Sequence, residues 1–166
     1  MSARAANTLG FLACAGLLAY AYYAQFVMHL EPCPLCIFQR IGVLAIGIAF
    51  ALAAAHDPGV SGRRVYAALI ALAAVATIGV AARHLYVQNA PPGSIPSCGA
   101  SLDFMLKVFP LTDVLVKVLT GSGECAKVTW RFLGLAMPAW VLIAAVVLGA
   151  WGLWSNLRRR PPVLKF

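Results

Sequence analysis

The sequence predicts an all-α integral membrane protein: a bundle of four transmembrane helices with a long loop that carries a short amphipathic helix. Of the 166 residues, 62% are hydrophobic and only 11% are charged, so the chain is far more apolar than an ordinary soluble domain. It also contains four separate apolar stretches close to the roughly 20 residues that a helix needs to cross about 30 Å of hydrocarbon. We therefore expect a single membrane domain formed by residues 1–166.

The four predicted helices cover about residues 8–27, 37–55, 65–83 and 137–157. The first stretch follows a basic residue and could be read as a signal peptide, but it is long enough to span the bilayer, so we interpret it as an anchor. Pro138 fits the first turn of the fourth helix, where its missing N–H costs nothing. Tryptophans cluster toward the helix ends, as interfacial aromatic residues do; they are Trp130, Trp140, Trp151 and Trp154.

The basic residues predict the orientation in the membrane. A net charge of +8 would suggest nucleic acid in a soluble protein, but here the basic residues lie beside apolar runs, so anionic lipid headgroups are the favoured partners. The side with both termini and the loop 56–64 is short and densely basic, which places it in the cytoplasm by the positive-inside rule. Segments 28–36 and 84–136, with four of the five cysteines, then lie outside, where disulfides persist.

The outer segment 84–136 is far longer than a plain connection between helices needs to be. A short amphipathic helix is predicted in it after Pro110. Its apolar face can lie on the membrane surface or pack on the protein itself. That face consists of Leu111, Val114, Leu115, Val118 and Leu119.

Cys33 and Cys36 form a Cys-X-X-Cys motif where the second helix begins. The positive end of the helix dipole, with Arg40 one turn further on, favours the thiolate form of Cys36, and the thiolate is the species that attacks and leaves in thiol–disulfide exchange. We therefore interpret the pair as redox-active. The alternative is a zinc half-site completed by His29, but it would need a second closely spaced cysteine pair, which the sequence lacks; no metal is predicted.

Cys98 and Cys125 lie in turn-forming sequence within the long loop, where flexibility lets thiols change partners. They could form a static disulfide, which would stabilise the loop by roughly 3 kcal/mol in the chain-entropy model. A static bridge would not explain the Cys-X-X-Cys motif, so we favour an electron relay between the two pairs. Cys14 lies inside the first apolar run and is interpreted as a packing residue.

The electron acceptor is inferred by elimination. A haem attachment motif would require histidine after Cys36, where Ile37 stands. The glycines Gly121 and Gly123 follow no predicted strand, so they do not indicate a dinucleotide site. An electron carrier that dissolves in the bilayer remains, and a quinone held beside Cys36 is the expected cofactor.

Arg40 and His84 are the candidate residues to hold the quinone. An arginine at the bilayer centre costs roughly 2.5 to 3.5 kcal/mol, so one near a helix end needs a partner or an interfacial position. Arg40 could donate hydrogen bonds to a quinone oxygen, or extend to the lipid headgroups. His84, at the outer end of the third helix, could bind the same ring or be solvated.

These residues resemble the bacterial disulfide bond formation protein B (DsbB) family over nearly the whole chain. The resemblance implies a thiol:quinone oxidoreductase of the bacterial inner membrane. Such a protein reoxidises a periplasmic thioredoxin-like dithiol oxidase (DsbA) and passes the electrons to ubiquinone or menaquinone. The resemblance rests on the four spans and on the following motifs: Cys33-Pro34-Leu35-Cys36 with Gln39-Arg40, the separated pair Cys98 and Cys125, and the run from Cys125 to Trp140.

The resemblance also implies a role for each outer cysteine. Cys98 would form the mixed disulfide with the partner, and Cys125 would receive the electrons onward. Cys33 would exchange with Cys125, and Cys36 would face the quinone as the charge-transfer thiolate, assisted by the arginine one turn later. His84 matches a histidine that the family has at the end of its third helix.

Three other classes are alternatives. A four-helix drug exporter would need a carboxylate within the membrane to couple protons, whereas Glu31 lies in a turn. A quinone-linked reductase of the vitamin K epoxide type has its Cys-X-X-Cys motif in a late helix, whereas here the motif comes first. A structural membrane scaffold is distinguished from the enzymes by an activity assay.

Overall fold

Four long helices dominate the structure, a computed structural model that describes residues 2–91, 107–110, 112–114, 123–126, 128 and 130–158. Within these residues, the four long helices are each apolar enough to cross a membrane. They confirm the predicted all-α membrane bundle. The elements in chain order are α1 (Ala3–Phe26), α2 (Pro34–His56), α3 (Val60–Gln88), α4 (Gly123–Ala126), β1 (Arg131–Phe132), β2 (Leu135–Ala136) and α5 (Met137–Leu157).

The first two helices begin earlier than predicted. α1 begins at Ala3 instead of residue 8, because the Ser2 hydroxyl caps it by accepting a hydrogen bond from a backbone N–H of the first turn. α2 begins at Pro34 instead of residue 37, with Cys33 as its cap. The prediction followed only the apolar run, whereas caps extend a helix beyond the hydrocarbon.

α3 is also longer than predicted, since it covers Val60–Gln88 instead of 65–83. Its first turn carries Arg63, which lies 3.8 Å from the Asp57 carboxylate. Helical turns that reach the headgroup region tolerate charged residues that the hydrocarbon excludes. The longer α3 includes His84, which lies one residue beyond the predicted end of this helix. The bounds of α5 agree with the prediction of 137–157.

The outside of the bundle is apolar. Exposed leucine, isoleucine and valine side chains lie on the membrane-spanning helices, where a soluble protein would carry charged residues. This distribution fits a multi-pass membrane protein. Examples are Leu12, Leu44, Ile48, Leu72, Val75 and Val147.

Small residues let the helices approach closely inside the bundle. A Cβ added to Gly10 would stand 2.7 Å from the Phe50 ring, and one added to Gly42 would overlap the Thr77 hydroxyl. Small interfacial residues are the usual device by which membrane helices pack. Cys14 is 1% exposed and belongs to the core cluster around Phe50, in agreement with its interpretation as a packing residue.

A buried amide pair ties α1 to α5. The Asn7 Nδ2 donates to Asn156 Oδ1 over 3.1 Å, and the Asn156 Nδ2 donates to Asn7 Oδ1 over 2.9 Å. Both side chains are buried. Nearby, the Trp151 indole N–H donates to the Ala6 carbonyl over 3.0 Å. These bonds join the two ends of the chain at one end of the bundle.

We expect Asn7→Ala to lower the free energy of unfolding by about 1 kcal/mol, because interhelical hydrogen bonds in membranes contribute roughly this much. Equilibrium unfolding in mixed detergent micelles measures the change. The control is Asn89→Ala, since the Asn89 side chain is exposed and donates to the Leu85 carbonyl in the last turn of α3. Equal losses in the two variants would contradict a stabilising role for the interhelical pair.

Candidate redox site

The Cys-X-X-Cys motif sits at the N-terminus of α2. Cys33 is the cap, and its Sγ accepts a hydrogen bond from the Cys36 N–H over 3.4 Å. The two Sγ atoms are 3.2 Å apart, whereas a disulfide bond needs about 2.05 Å. They are therefore neighbouring thiols within reach of bond formation. The positive end of the helix dipole favours negative charge at these sulfurs.

His84 lies directly against this pair. Its Nε2 is 3.7 Å from Cys33 Sγ, and its Nδ1 is 4.0 Å from Cys36 Sγ. The side chain is only 2% exposed, so it is buried and the solvated alternative is wrong. The structure places it with the cysteines, and it is not among the described residues that line the cavity beside Cys36.

The partners of His84 assign its tautomer. Nε2 is 3.1 Å from the Cys125 carbonyl oxygen, which can only accept, so Nε2 carries the hydrogen. Nδ1 is then the acceptor for the Gln39 amide, whose Nε2 is 2.9 Å away. The ring thus contacts the segment of Cys125 on one side and α2 on the other.

Cys125 is brought beside the first pair by this arrangement. It lies in α4, is 1% exposed, and packs in a cluster with Leu35 and Val87. Cys33 packs against the same cluster. Three of the four cysteines of the predicted relay are therefore neighbours, and Cys98 lies outside the described residues.

The predicted amphipathic helix is described only at residues 112–114, which are helical; the rest of the proposed face lies outside the described residues. The N–H groups of Asp113 and Val114 donate to the Pro110 carbonyl over 3.0 and 3.1 Å. Val114 is 2% exposed and joins the cluster around Cys125. Its burial favours packing on the protein over lying on the membrane surface.

Arg40 connects α2 to α1. One guanidinium nitrogen donates to the Gln25 side-chain oxygen and another donates to the Ala21 carbonyl over 3.1 Å. The group also lies over the Tyr22 ring, 5.3 Å from its centroid. Its charged head is therefore held by α1 instead of extending to the headgroups. A guanidinium has five N–H donors, so these contacts leave others for a ligand.

A cavity of about 400 Å³ lies beside Cys36. Three polar groups from α2 line it: the thiol of Cys36, the amide of Gln39 and the guanidinium of Arg40. Gln39 and Arg40 follow Cys36 by three and four residues, so the three side chains lie on one face of the helix. Aromatic and aliphatic side chains form the other walls. These are Leu17, Leu18, Tyr20, Ala21, Val43, Trp130, Phe132, Met137, Trp140 and Val141.

A small hairpin forms one wall of the cavity. β1 and β2 pair antiparallel through Phe132 and Leu135, and the turn residues Leu133 and Gly134 both have positive φ, 50° and 80°, as a two-residue hairpin turn requires. The Trp140 indole N–H donates to the Phe132 carbonyl over 3.2 Å. The hairpin thus holds Phe132 and its neighbouring tryptophans at the cavity.

Sequence reasoning missed two parts of this site. Trp130 and Trp140 were interpreted as interfacial anchors, but they line the cavity. Gln39 was noted only as part of a motif, yet it is 3% exposed and joins the cavity to His84. A glutamine within an apolar helix was the available signal, because a buried amide requires partners.

Comparison with known proteins agrees with this geometry. The family described as Disulfide bond formation protein DsbB matches residues 3–155 of the chain. A relative named Disulfide bond formation protein B from Methylococcus capsulatus is 51% identical, with 95% of this chain and 98% of the relative covered. Namesakes from Nitrosococcus oceani and Chromobacterium violaceum are 50% and 48% identical, covering 93% of this chain and 92% and 95% of the relatives.

These similarities extend across all four membrane helices and the cysteine site. Their identity and coverage are far above what a shared fold alone would give. The chain therefore belongs to the disulfide bond formation protein B family, and it is a membrane oxidoreductase of disulfide bond formation.

Proposed function

We propose that the protein is a thiol:quinone oxidoreductase that reoxidises a periplasmic DsbA-like dithiol oxidase. The observation that carries the proposal is the position of Cys36. Its Sγ is 3.2 Å from Cys33 Sγ on one side, and it lines the aromatic cavity on the other. One residue thus touches both a thiol–disulfide partner and a site for an apolar acceptor.

The lining of the cavity fits a quinone. Aromatic walls suit a flat ring, and the Arg40 guanidinium and Gln39 amide are donors for its carbonyl oxygens. A bound quinone would supply an acceptor for two electrons and two protons, which is what the conversion of two thiols to one disulfide releases. Ubiquinone and menaquinone differ in their ring substituents. The preference for one of them would therefore depend on the contacts that the cavity walls make with these substituents.

The cysteines would then act in two exchanges. The partner's thiolate attacks Cys98 of a Cys98–Cys125 disulfide and releases Cys125 as a thiol. The partner's second thiol then completes the partner's own disulfide and releases Cys98, which leaves both outer cysteines reduced. The Cys125 thiolate attacks Cys33 of the oxidised first pair, and Cys36 leaves as thiolate at the helix N-terminus, which stabilises it. A second exchange by Cys98 re-forms the Cys98–Cys125 disulfide and leaves Cys33 reduced beside Cys36.

His84 would serve this relay as a positioning residue. Its hydrogen bond to the Cys125 carbonyl holds that segment against α2, and its ring lies within 4.0 Å of both sulfurs of the first pair. This contact keeps the attacking sulfur and the attacked disulfide close, so that exchange requires only a small movement.

We propose a bacterial inner membrane location with both termini in the cytoplasm. The support is the dense basic charge near the termini and in the loop between α2 and α3, including Arg63 and Arg64. Cys33, Cys36 and Cys125 would then face the periplasm.

The test is oxidation of a reduced DsbA-like oxidase by the purified full chain in detergent, with ubiquinone or menaquinone as acceptor. We expect one partner disulfide per quinone reduced. Cys14→Ala is the control and should keep the rate, because Cys14 lies in the core away from the site. Failure of the wild type with both quinones, in a protein that binds its partner, would overturn the proposal.

Arg40→Leu is expected to raise the KM for quinone by about tenfold or more, since a hydrogen bond from a charged donor contributes roughly 1.5 to 3 kcal/mol. Steady-state kinetics with varied quinone measure it. Gln25→Leu removes a contact of Arg40 with α1 but keeps the charge, so it should change KM less. Equal effects would mean that Arg40 acts only through helix packing.

A further inference from the structure

Three side chains able to bind metal converge at the start of α2. They are the thiols of Cys33 and Cys36 and the imidazole of His84, and their ligand atoms all lie within 4.8 Å of one another. The Sγ atoms are 3.2 Å apart, and Cys33 Sγ is 3.7 Å from His84 Nε2. His29, which the sequence suggested as a zinc ligand, is exposed and is not in this group.

These separations are close to those of a tetrahedral zinc site. With Zn–S of about 2.3 Å and Zn–N of about 2.0 Å, neighbouring ligand atoms stand roughly 3.5 to 3.8 Å apart. The 3.2 and 3.7 Å separations lie within about half an ångström of this spacing, and the ligand atoms of all three residues lie within 4.8 Å of one another. Two thiolates and an imidazole form a soft donor set that favours zinc and related thiophilic ions over magnesium or calcium.

We propose that the reduced Cys33–Cys36 pair, together with His84, binds one thiophilic divalent cation such as Zn²⁺. The ion replaces the two thiol protons, which pass to solvent, and no electron moves. Oxidation of the pair to a disulfide uses both sulfurs for the S–S bond, so only the reduced site binds metal. The inference goes beyond quinone reduction and requires only the reduced cysteine pair.

The surroundings of His84 provide the support that a metal-bound imidazole needs. If Nε2 binds the ion, Nδ1 carries the hydrogen and needs an acceptor. The Gln39 amide is already 2.9 Å from Nδ1, and rotating this amide presents its oxygen to the ring. A hydrogen bond from the ring nitrogen that does not bind the ion fixes the tautomer and the orientation of the histidine.

Metal binding would also disturb the second cysteine pair. In the absence of metal, the His84 Nε2–H donates to the Cys125 carbonyl over 3.1 Å. A metal ion bound to Nε2 would replace this hydrogen and so break the hydrogen bond. The bound ion therefore occupies both sulfurs that must be reoxidised and removes the hydrogen bond that holds Cys125 nearby. Access is available, because Cys33 and Cys36 are only partly buried and Cys36 lines the cavity.

The test is zinc binding by the full chain in detergent, without quinone or partner. Cys98→Ser and Cys125→Ser are introduced together so that the reduced protein presents only this pair, with Cys14 in the core. Competition with a chromophoric chelator measures affinity, and Co²⁺ spectra report thiolate coordination. We expect one ion per reduced chain, none after oxidation, and an affinity lowered at least about tenfold by His84→Ala.

Two variants separate a missing ligand from a damaged fold. His84→Gln keeps a hydrogen-bonding side chain beside Cys125, and it should lose affinity as His84→Ala does while unfolding at the wild-type temperature. Cys14→Ala should leave zinc binding unchanged. Unchanged affinity in both His84 variants, or equal binding by the oxidised chain, would overturn the proposal. Because neither quinone nor partner is present, these outcomes are independent of the thiol:quinone activity.

Discussion

Replacing Cys36 with serine is expected to stop continuous turnover, lowering the steady rate of partner oxidation by at least about a thousandfold, as loss of a reacting nucleophile does. The reason is that Cys36 is the cysteine of the described site that lines the cavity. An oxidised Cys98–Cys125 pair can still react. The variant should therefore oxidise one partner molecule per chain and then stop, which a stopped-flow assay of partner fluorescence resolves.

Cys98→Ser is the comparison that tests the order of transfer. We expect this variant to lack even the first turnover, because the partner has no disulfide to attack in the outer pair. Sustained turnover by Cys36→Ser would contradict the role of Cys36. A full single turnover by Cys98→Ser would instead show that the partner attacks the first pair directly.

Adding one methyl group at Gly42 is expected to destabilise the bundle by about 1 to 3 kcal/mol, the usual cost of overpacking. A Cβ there overlaps the Thr77 hydroxyl and stands 3.1 Å from Thr77 Cβ and Cγ2. Thr77 is β-branched and has few rotamers available in a helix, so α2 and α3 must move apart. Since α2 carries the first cysteine pair and α3 carries His84, activity should fall too.

The matched control is Gly79→Ala on α3, where an added Cβ meets nothing within 4 Å. This change should be neutral or stabilise by up to about 1 kcal/mol, since alanine is the better helix former. The pair Gly42→Ala and Thr77→Ala should recover most of the lost stability. Equal unfolding free energies for Gly42→Ala and Gly79→Ala would contradict close packing of α2 on α3.

Hydropathy was sufficient to predict the four helices, because a chain in a bilayer has few ways to form all the hydrogen bonds of its backbone. The position of the Cys-X-X-Cys motif at the start of a helix was predictable for a similar reason, since it follows from the local sequence. Helix ends were less predictable: Ser2 and Cys33 act as caps outside the apolar runs that were used to place them.

Long-range contacts were the part that sequence reasoning could not supply. His84 and Cys36 are 48 residues apart in the chain, and nothing local to His84 distinguishes a ligand of a quinone from a neighbour of a thiol. The hairpin at Leu133 was missed because its strands have two residues each, too few for an alternating pattern. The cavity walls followed from that hairpin and were missed with it.

The exposed rim of the cavity determines which ligand concentration the site experiences. Leu17, Tyr20 and Phe132 are 40%, 44% and 54% exposed, so these walls of the cavity lie on the apolar outside of the bundle, where a ligand can enter sideways from the hydrocarbon of a surrounding bilayer. An apolar molecule partitions into that small volume and is far more concentrated there than its total amount suggests. Modest intrinsic affinity then suffices for saturation. Added detergent enlarges the apolar volume and dilutes the ligand, so the apparent KM should scale with detergent at constant total ligand.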